Sequence, residues 1–96
     1  MNDLSWMKID FAPGKITWMT TDADYRQEDM LQVEFPGSVI LDMGWYEGTG
    51  SYKILVVRDY NWDSPVYSVS TADEKQLKEL LEHGRDWILD NCDVKN

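Results

Sequence analysis

With 96 residues, of which 18 are Asp or Glu and nine are Lys or Arg, the chain is long enough for one domain over 1–96 and carries a formal net charge of −9. Such a field repels nucleic-acid phosphates and anionic membrane surfaces, and it attracts a basic protein or a small cation, although it also serves plain solubility. A hydrophobic fraction of 43%, with five Trp and five Tyr, supplies core material and argues against a disordered chain.

The first periodic segment is Leu4–Ala12. Ser5, Met7, Ile9 and Phe11 alternate with Trp6, Lys8 and Asp10, the period of a half-buried strand. Pro13-Gly14 reads as a tight turn, with Pro at the first central position and Gly at a second one of positive φ. Lys15–Thr20 then resumes as a strand and closes a hairpin. Thr21–Asp29 holds Asp22, Asp24, Glu28 and Asp29 with little apolar periodicity, so it reads as an exposed loop.

Met30–Phe35 alternates again, placing Leu31, Val33 and Phe35 inward, and Pro36-Gly37-Ser38 breaks it. Val39–Tyr46 continues with Val39, Leu41, Met43 and Trp45 on one face. Glu47–Ser51 makes a turn. Tyr52–Asp59 contains Ile54-Leu55-Val56-Val57, the run of a strand covered on both faces. A turn-rich stretch to Pro65 precedes a short last strand, Val66–Ser70.

Thr71-Ala72-Asp73-Glu74 fits a capping box, in which Thr71 accepts from the Glu74 amide. Leu77, Leu80, Leu81, Trp87 and Ile88 follow at helical spacing, with Gly84 on the same stripe, and the helix is expected to end near Asn91 before a frayed tail over 93–96. Strands first and one helix last predict an α+β fold: an antiparallel meander sheet of five to six strands packed on one C-terminal helix. The other sheet face is expected to carry Trp6, Trp18 and Tyr52.

Few residues offer chemistry. Cys92, the one cysteine, permits no disulfide and sits where a helix C-terminus disfavours a thiolate. Its isolation fits a reducing cytoplasm. The segment Met1–Trp6 lacks the basic and apolar regions of a signal peptide, and no apolar run approaches the about 18 residues of a membrane span. A cytoplasmic protein without membrane contact is therefore expected. His83, the one histidine, shares its helix with Glu79, Glu82 and Asp86 and has no second His or Cys spaced to complete a metal site.

Asp59, Asn61 and Asp63 have the spacing that opens a calcium loop, but Ser64 stands where Gly is needed and Ser70 where a bidentate Glu is needed, so turn formation is the expected role. Gly48-Thr49-Gly50 lacks the third Gly and following helix of a phosphate loop. No cofactor, metal or catalytic residue is expected, and nucleic acid is disfavoured as a partner.

What remains is acids interleaved with aromatics in three turns: Asp22, Asp24, Tyr25, Glu28 and Asp29; then Trp45, Tyr46 and Glu47; then Asp59, Tyr60, Trp62 and Asp63. Tyr and Trp supply rigid contact area at interfaces, while carboxylates around them pair with Lys and Arg and speed association. In a meander the first two turns share one end of the sheet and form the leading partner-binding candidate. The third lies at the opposite end as a secondary one.

With these turns, its length, its acidity and no active-site signature, the chain resembles the small acidic immunity proteins that bacteria encode beside antibacterial toxins, among them partners of contact-dependent inhibition effectors and of nuclease bacteriocins. The resemblance implies a tight complex with a basic toxin domain, commonly a nuclease, and no enzymatic activity. Two further readings stand beside it. One is a binding module or regulatory adaptor acting through the open sheet face, as a monomer or weak homodimer. The other is an enzyme or small-cation receptor with an acidic pocket between sheet and helix.

Overall fold

The structure, a computed structural model, describes residues 5–19, 30–92 and 94. Alternation builds its sheet. In β2 (Leu31–Phe35) Leu31, Val33 and Phe35 are buried, while Gln32 and Glu34 point to the other side. β3 (Val39–Tyr46) pairs with β4 (Ser51–Arg58) along its whole length, from Val39 opposite Arg58 to Tyr46 opposite Ser51. β1 (Lys15–Met19) and β5 (Tyr67–Thr71) form the edges of an antiparallel sheet in the order β1-β2-β3-β4-β5. The expected α+β meander is thus present, with five strands.

The first expected strand, Leu4–Ala12, is not one over its described residues. Ser5–Lys8 is a 3-10 turn, and the chain then runs irregularly to a β-turn over Phe11–Gly14, closed by the Gly14 amide donating to the Phe11 carbonyl at 2.7 Å. Pro13 occupies the second central position of that turn, after a cis peptide bond, rather than the first. The alternation misleads because Trp6 lies between the apolar positions of the period-two reading. The structure buries Trp6, Ile9 and Phe11, and leaves Met7 half-buried. Trp6 therefore belongs to the core and not to the open face. Arg85 fastens this segment to the helix by donating from a guanidinium nitrogen to the Asp10 carbonyl at 2.9 Å.

The helix α1 (Leu77–Asn91) ends where its periodicity ends, and it buries Leu77, Leu81, Gly84 and Ile88 against the sheet, with Leu80 and Trp87 at the margins. Its start differs from the simple box. A 3-10 turn, Glu74–Gln76, precedes it, and Asp73 caps that turn by accepting from the Lys75 amide at 2.9 Å. Thr71 still takes part, since its hydroxyl accepts from the Asp73 amide at 3.0 Å and donates to Gln76 Oε1 at 2.6 Å. Gln76 thus also reaches back to Thr71 through its side-chain carbonyl. Beyond the helix, Val94 is fully buried, while 93, 95 and 96, the rest of the expected frayed tail, lie outside the described residues.

Close approach excludes a side chain at one glycine and mildly crowds a second. An added Cβ at Gly14 would lie 2.7 Å from Phe35 Cε2 and 2.8 Å from Val33 Cγ1. At Gly84 the same atom would meet Leu41 Cδ1 at 3.3 Å, with Tyr67 and Ile54 just beyond.

These contacts set two expectations for urea denaturation. Trp6→Ala should cost about 3–5 kcal/mol and Met7→Ala roughly half that or less, whereas a strand over 4–12 would make Met7 the costlier loss. Gly14→Ala should cost about 1–3 kcal/mol by overpacking. In contrast, Gly84→Ala should be near neutral, because about 1 kcal/mol of gained helix propensity offsets its milder crowding.

Candidate functional site

The helix covers one face of the sheet. On the other, the register aligns Trp18, Gln32, Asp42, Leu55 and Ser68 in a single row across all five strands. Ile40 and Val57 face each other beside that row and are buried, while Leu55 is half-buried and Trp18 is 51% exposed. The run Ile54–Val57 is therefore covered on the helix side and only partly on the other. Asp42, at 8% exposure, is the buried charged residue among the described residues.

The β4–β5 connection supplies the rest of the surface. The Asn61 amide donates to the Arg58 carbonyl at 3.1 Å, and the two residues between, Asp59 and Tyr60, have φ of 55° and 60°. Positive φ at both central positions is the type I′ pattern, normally filled by Asn, Asp or Gly. A tyrosine there is held in a conformation that costs roughly 1–2 kcal/mol for a side chain with a Cβ. The loop is nevertheless well pinned: the Asp59 amide donates to the Ser38 carbonyl and the Val66 amide to the Val56 carbonyl, both at 2.9 Å. Tyr60 projects outward at 61% exposure, between the exposed Asp59 and Asp63.

Trp62, from the same loop, reaches the open face. It lines a hollow of about 260 Å³ with Gln32, Asp42, Tyr46 and Leu55. Tyr46 comes from the opposite end of the sheet, so this face joins aromatics from two turns that topology separates. Lys53 lines a neighbouring depression with Leu55, Ser68 and Ser70, and its ammonium sits 5.0 Å from the Tyr46 ring centroid.

The residues singled out from the sequence fall into three groups. Asp22, Asp24, Tyr25, Glu28 and Asp29 lie outside the described residues. Tyr46, Glu47, Asp59, Tyr60, Trp62 and Asp63 are at the surface, Tyr46 half-buried and the others exposed. Trp45 is turned the opposite way from Tyr46: it is 9% exposed and packs edge-on against Tyr52 with ring centroids 4.8 Å apart. Both Trp45 and Tyr52 are core residues, so Tyr52 does not belong to the open face.

Gln32, Asp42 and Leu55 were reachable from the sequence as outward positions of alternating strands. Their convergence with Trp62 was not, because it depends on how a loop folds back. Elsewhere, the interface between sheet and helix is filled, with Leu41, Ile54, Leu77, Leu81 and Ile88 all inaccessible to solvent. His83 is exposed on the helix, 4.0 Å from Glu79. Cys92 is buried at the end of α1; burial pushes its thiol above the ordinary range, and the positive charge of Arg58 only partly opposes this. Among the described residues no three His, Cys, Asp or Glu side chains gather as metal donors, and no helix is long and apolar enough to cross a membrane.

No protein family, curated protein or solved structure matches the chain. Its surface chemistry must therefore carry the functional argument.

The cost of the left-handed tyrosine is directly measurable. Tyr60→Gly should raise unfolding stability by roughly 0.5–1 kcal/mol, the strain relieved less the extra chain entropy that glycine loses on folding. A loss of stability would show that the ring itself supports the loop.

Proposed function

We propose that the protein is an inhibitor of the immunity type, which binds and neutralises a basic toxin domain, with a nuclease as the foremost candidate, in the cytoplasm of a bacterial cell. The observation that carries this reading is the exposed, rigidly bonded Asp59–Asp63 loop. It displays Tyr60 and Trp62 between carboxylates on a chain of net charge −9. An exposed aromatic in a costly backbone conformation contributes little to folding, and such strain concentrates where a surface has another use. Aromatic anchors ringed by carboxylates suit a partner rich in Lys and Arg, and the long-range field accelerates encounter with it. A nuclease domain is a natural fit, since a surface built to hold phosphates is itself basic.

The surface bearing the proposal comprises Asp59, Tyr60, Trp62 and Asp63 with Tyr46 and Glu47. Trp45 drops out because its ring is committed to the core. A second reading, homodimerisation through the open sheet face, draws on the half-exposed Trp18 and Trp62 on that face. Light scattering separates the two, because a mass that stays monomeric across a wide concentration range removes the dimer.

Co-expression with the basic-domain protein encoded beside its own gene should restore growth, and failure to restore growth or to bind would overturn the inhibitor reading. Asp59→Lys with Asp63→Lys should slow association severalfold and flatten its dependence on salt. Tyr60→Gly should weaken the complex while the free protein becomes more stable. That opposition of signs distinguishes a docking residue from a structural one.

A further inference from the structure

We infer that the free edge of β5 is a docking site for an extended segment of a basic partner protein, which adds to the sheet as a further strand. The inference rests on the inhibitor reading for the identity of that partner, and on the edge itself for the mode of binding.

The hydrogen-bond phase of the sheet shows which backbone groups the edge presents. In an antiparallel ladder the N–H and C=O of one residue point to the same neighbouring strand, and successive residues alternate between neighbours. The Asp59 amide donates to the Ser38 carbonyl, one step beyond the pair of Val39 with Arg58. Counting back from Asp59, Val57, Leu55 and Lys53 bond to β3, which turns Val56, Ile54 and Tyr52 toward β5. Their partners there are Tyr67, Val69 and Thr71. The Val66 amide, bonded to the Val56 carbonyl, agrees with this phase. The amides and carbonyls of Ser68 and Ser70 therefore point away from β4, and among the described residues nothing bonds to them.

The two edges of the sheet differ. β1 carries Lys15 and a register shift between Ile16 and Trp18, both of which discourage a further strand. From Tyr67 to Thr71, β5 has no Pro and no charged residue, and its register with β4 is unbroken. Beside it the helix supplies an apolar ledge. Trp87 lies against Tyr67 with ring centroids 5.3 Å apart, and Leu80 and Val69 are half-buried next to the core. An added strand would bond through its main chain to Ser68 and Ser70 and lay alternate side chains over this ledge. Main-chain bonds of that kind supply affinity in strand addition, and the side-chain contacts supply selectivity.

Charge selects the occupant. Asp63 stands just ahead of the strand, and α1 carries Glu79 and Asp90 on the solvent side of the ledge, all three exposed. Glu79 also lies 4.0 Å from His83, yet its side chain remains 73% exposed. Lys53, opposite Ser70, is turned onto the Tyr46 ring. A second copy is the poorer occupant. Two β5 edges paired about a two-fold axis would bring the same acidic flank of two helices together, on chains of net charge −9 each. A segment flanked by Lys or Arg meets those acids with opposite sign.

The test is amide hydrogen exchange followed by NMR, with a synthetic strand as the probe. In the free protein the Ser68 and Ser70 amides should exchange roughly tenfold or more faster than that of Val69 between them. The basic peptide acetyl-KVTVTVK-amide should protect both and shift the Trp87 indole N–H, while acetyl-EVTVTVE-amide should bind severalfold more weakly. Ser70→Pro removes a donor that the fold does not use, as an edge strand tolerates, and should abolish binding. Glu79→Lys with Asp90→Lys, at exposed positions, should erase the preference for the basic peptide.

Slow exchange at Ser68 and Ser70 in the free protein would overturn the proposal, as would equal binding of the two peptides or undiminished binding by folded Ser70→Pro. Should that variant fail to fold, the exchange pattern and the double Lys variant decide, an unchanged preference in the latter being contrary. Protection that grows with protein concentration alone would identify a second copy and overturn the basic partner. Failure here is distinguishable from failure of the inhibitor reading. Failed growth rescue with the peptide preference intact refutes the toxin partner alone, whereas full rescue by Ser70→Pro refutes the edge alone.

Discussion

At Gly84 the helix carries no side chain toward the sheet, and Leu41, Ile54 and Tyr67 occupy the space that a Cβ would crowd. This approach determines how the remainder of the small core closes. Leu77, Leu81 and Ile88, on the same stripe, are buried in the core formed with the apolar face of β3 and β4 at this spacing. With the helix so close, the N-terminal segment is held against it, Trp6 filling the core and Arg85 tying down the Asp10 carbonyl.

One helix seated on one face leaves the other face to loops and side chains. Its central positions are not polar throughout: Ile40 and Val57 are buried there, and Leu55 is half-buried. The β4–β5 loop contributes by laying Trp62 toward Leu55 and Tyr46 while projecting Tyr60 into solvent. The loop could have been an ordinary two-residue hairpin with glycine at its left-handed positions. Placing Asp59 and Tyr60 there costs stability and leaves an acid and an aromatic exposed at the surface.

Acidity alone would be weak evidence, because many charges are spread over helix surface. Lys78 pairs with Glu82 across one turn, and Arg85 with Asp86, in exposed or half-exposed positions where such pairs contribute little. The carboxylates of interest are set apart by their neighbours: Asp59 and Asp63 flank exposed aromatics, and Asp42 shares a hollow with two rings.

Local patterning was readable wherever one period had one meaning. Leu31, Val33 and Phe35 alternate without competition, Val39–Tyr46 matches β3 end to end, and the helical stripe stops at Asn91 with α1. The same logic failed at Leu4–Ala12, where apolar residues occupy both phases and burial of Trp6 was decided by the helix packed against it. It was silent on Thr71, whose hydroxyl serves Asp73 and Gln76 because a 3-10 turn precedes α1. Of the candidate surface, the exposure of Tyr60 and the opposite facing of Trp45 and Tyr46 follow from loop position and strand alternation.

Sequence by itself thus determined the class of fold, the inward residues of the paired strands, the helix and the excess of negative charge, because each is a property of spacing or composition along the chain. Only the tertiary structure decided that Trp6 and Val94 complete the core, that Tyr60 is displayed from a left-handed backbone, and that Asp42, Tyr46 and Trp62 meet. Those residues come from separate elements, and their meeting depends on strand register, loop bonding and the seat of one helix rather than on any local pattern.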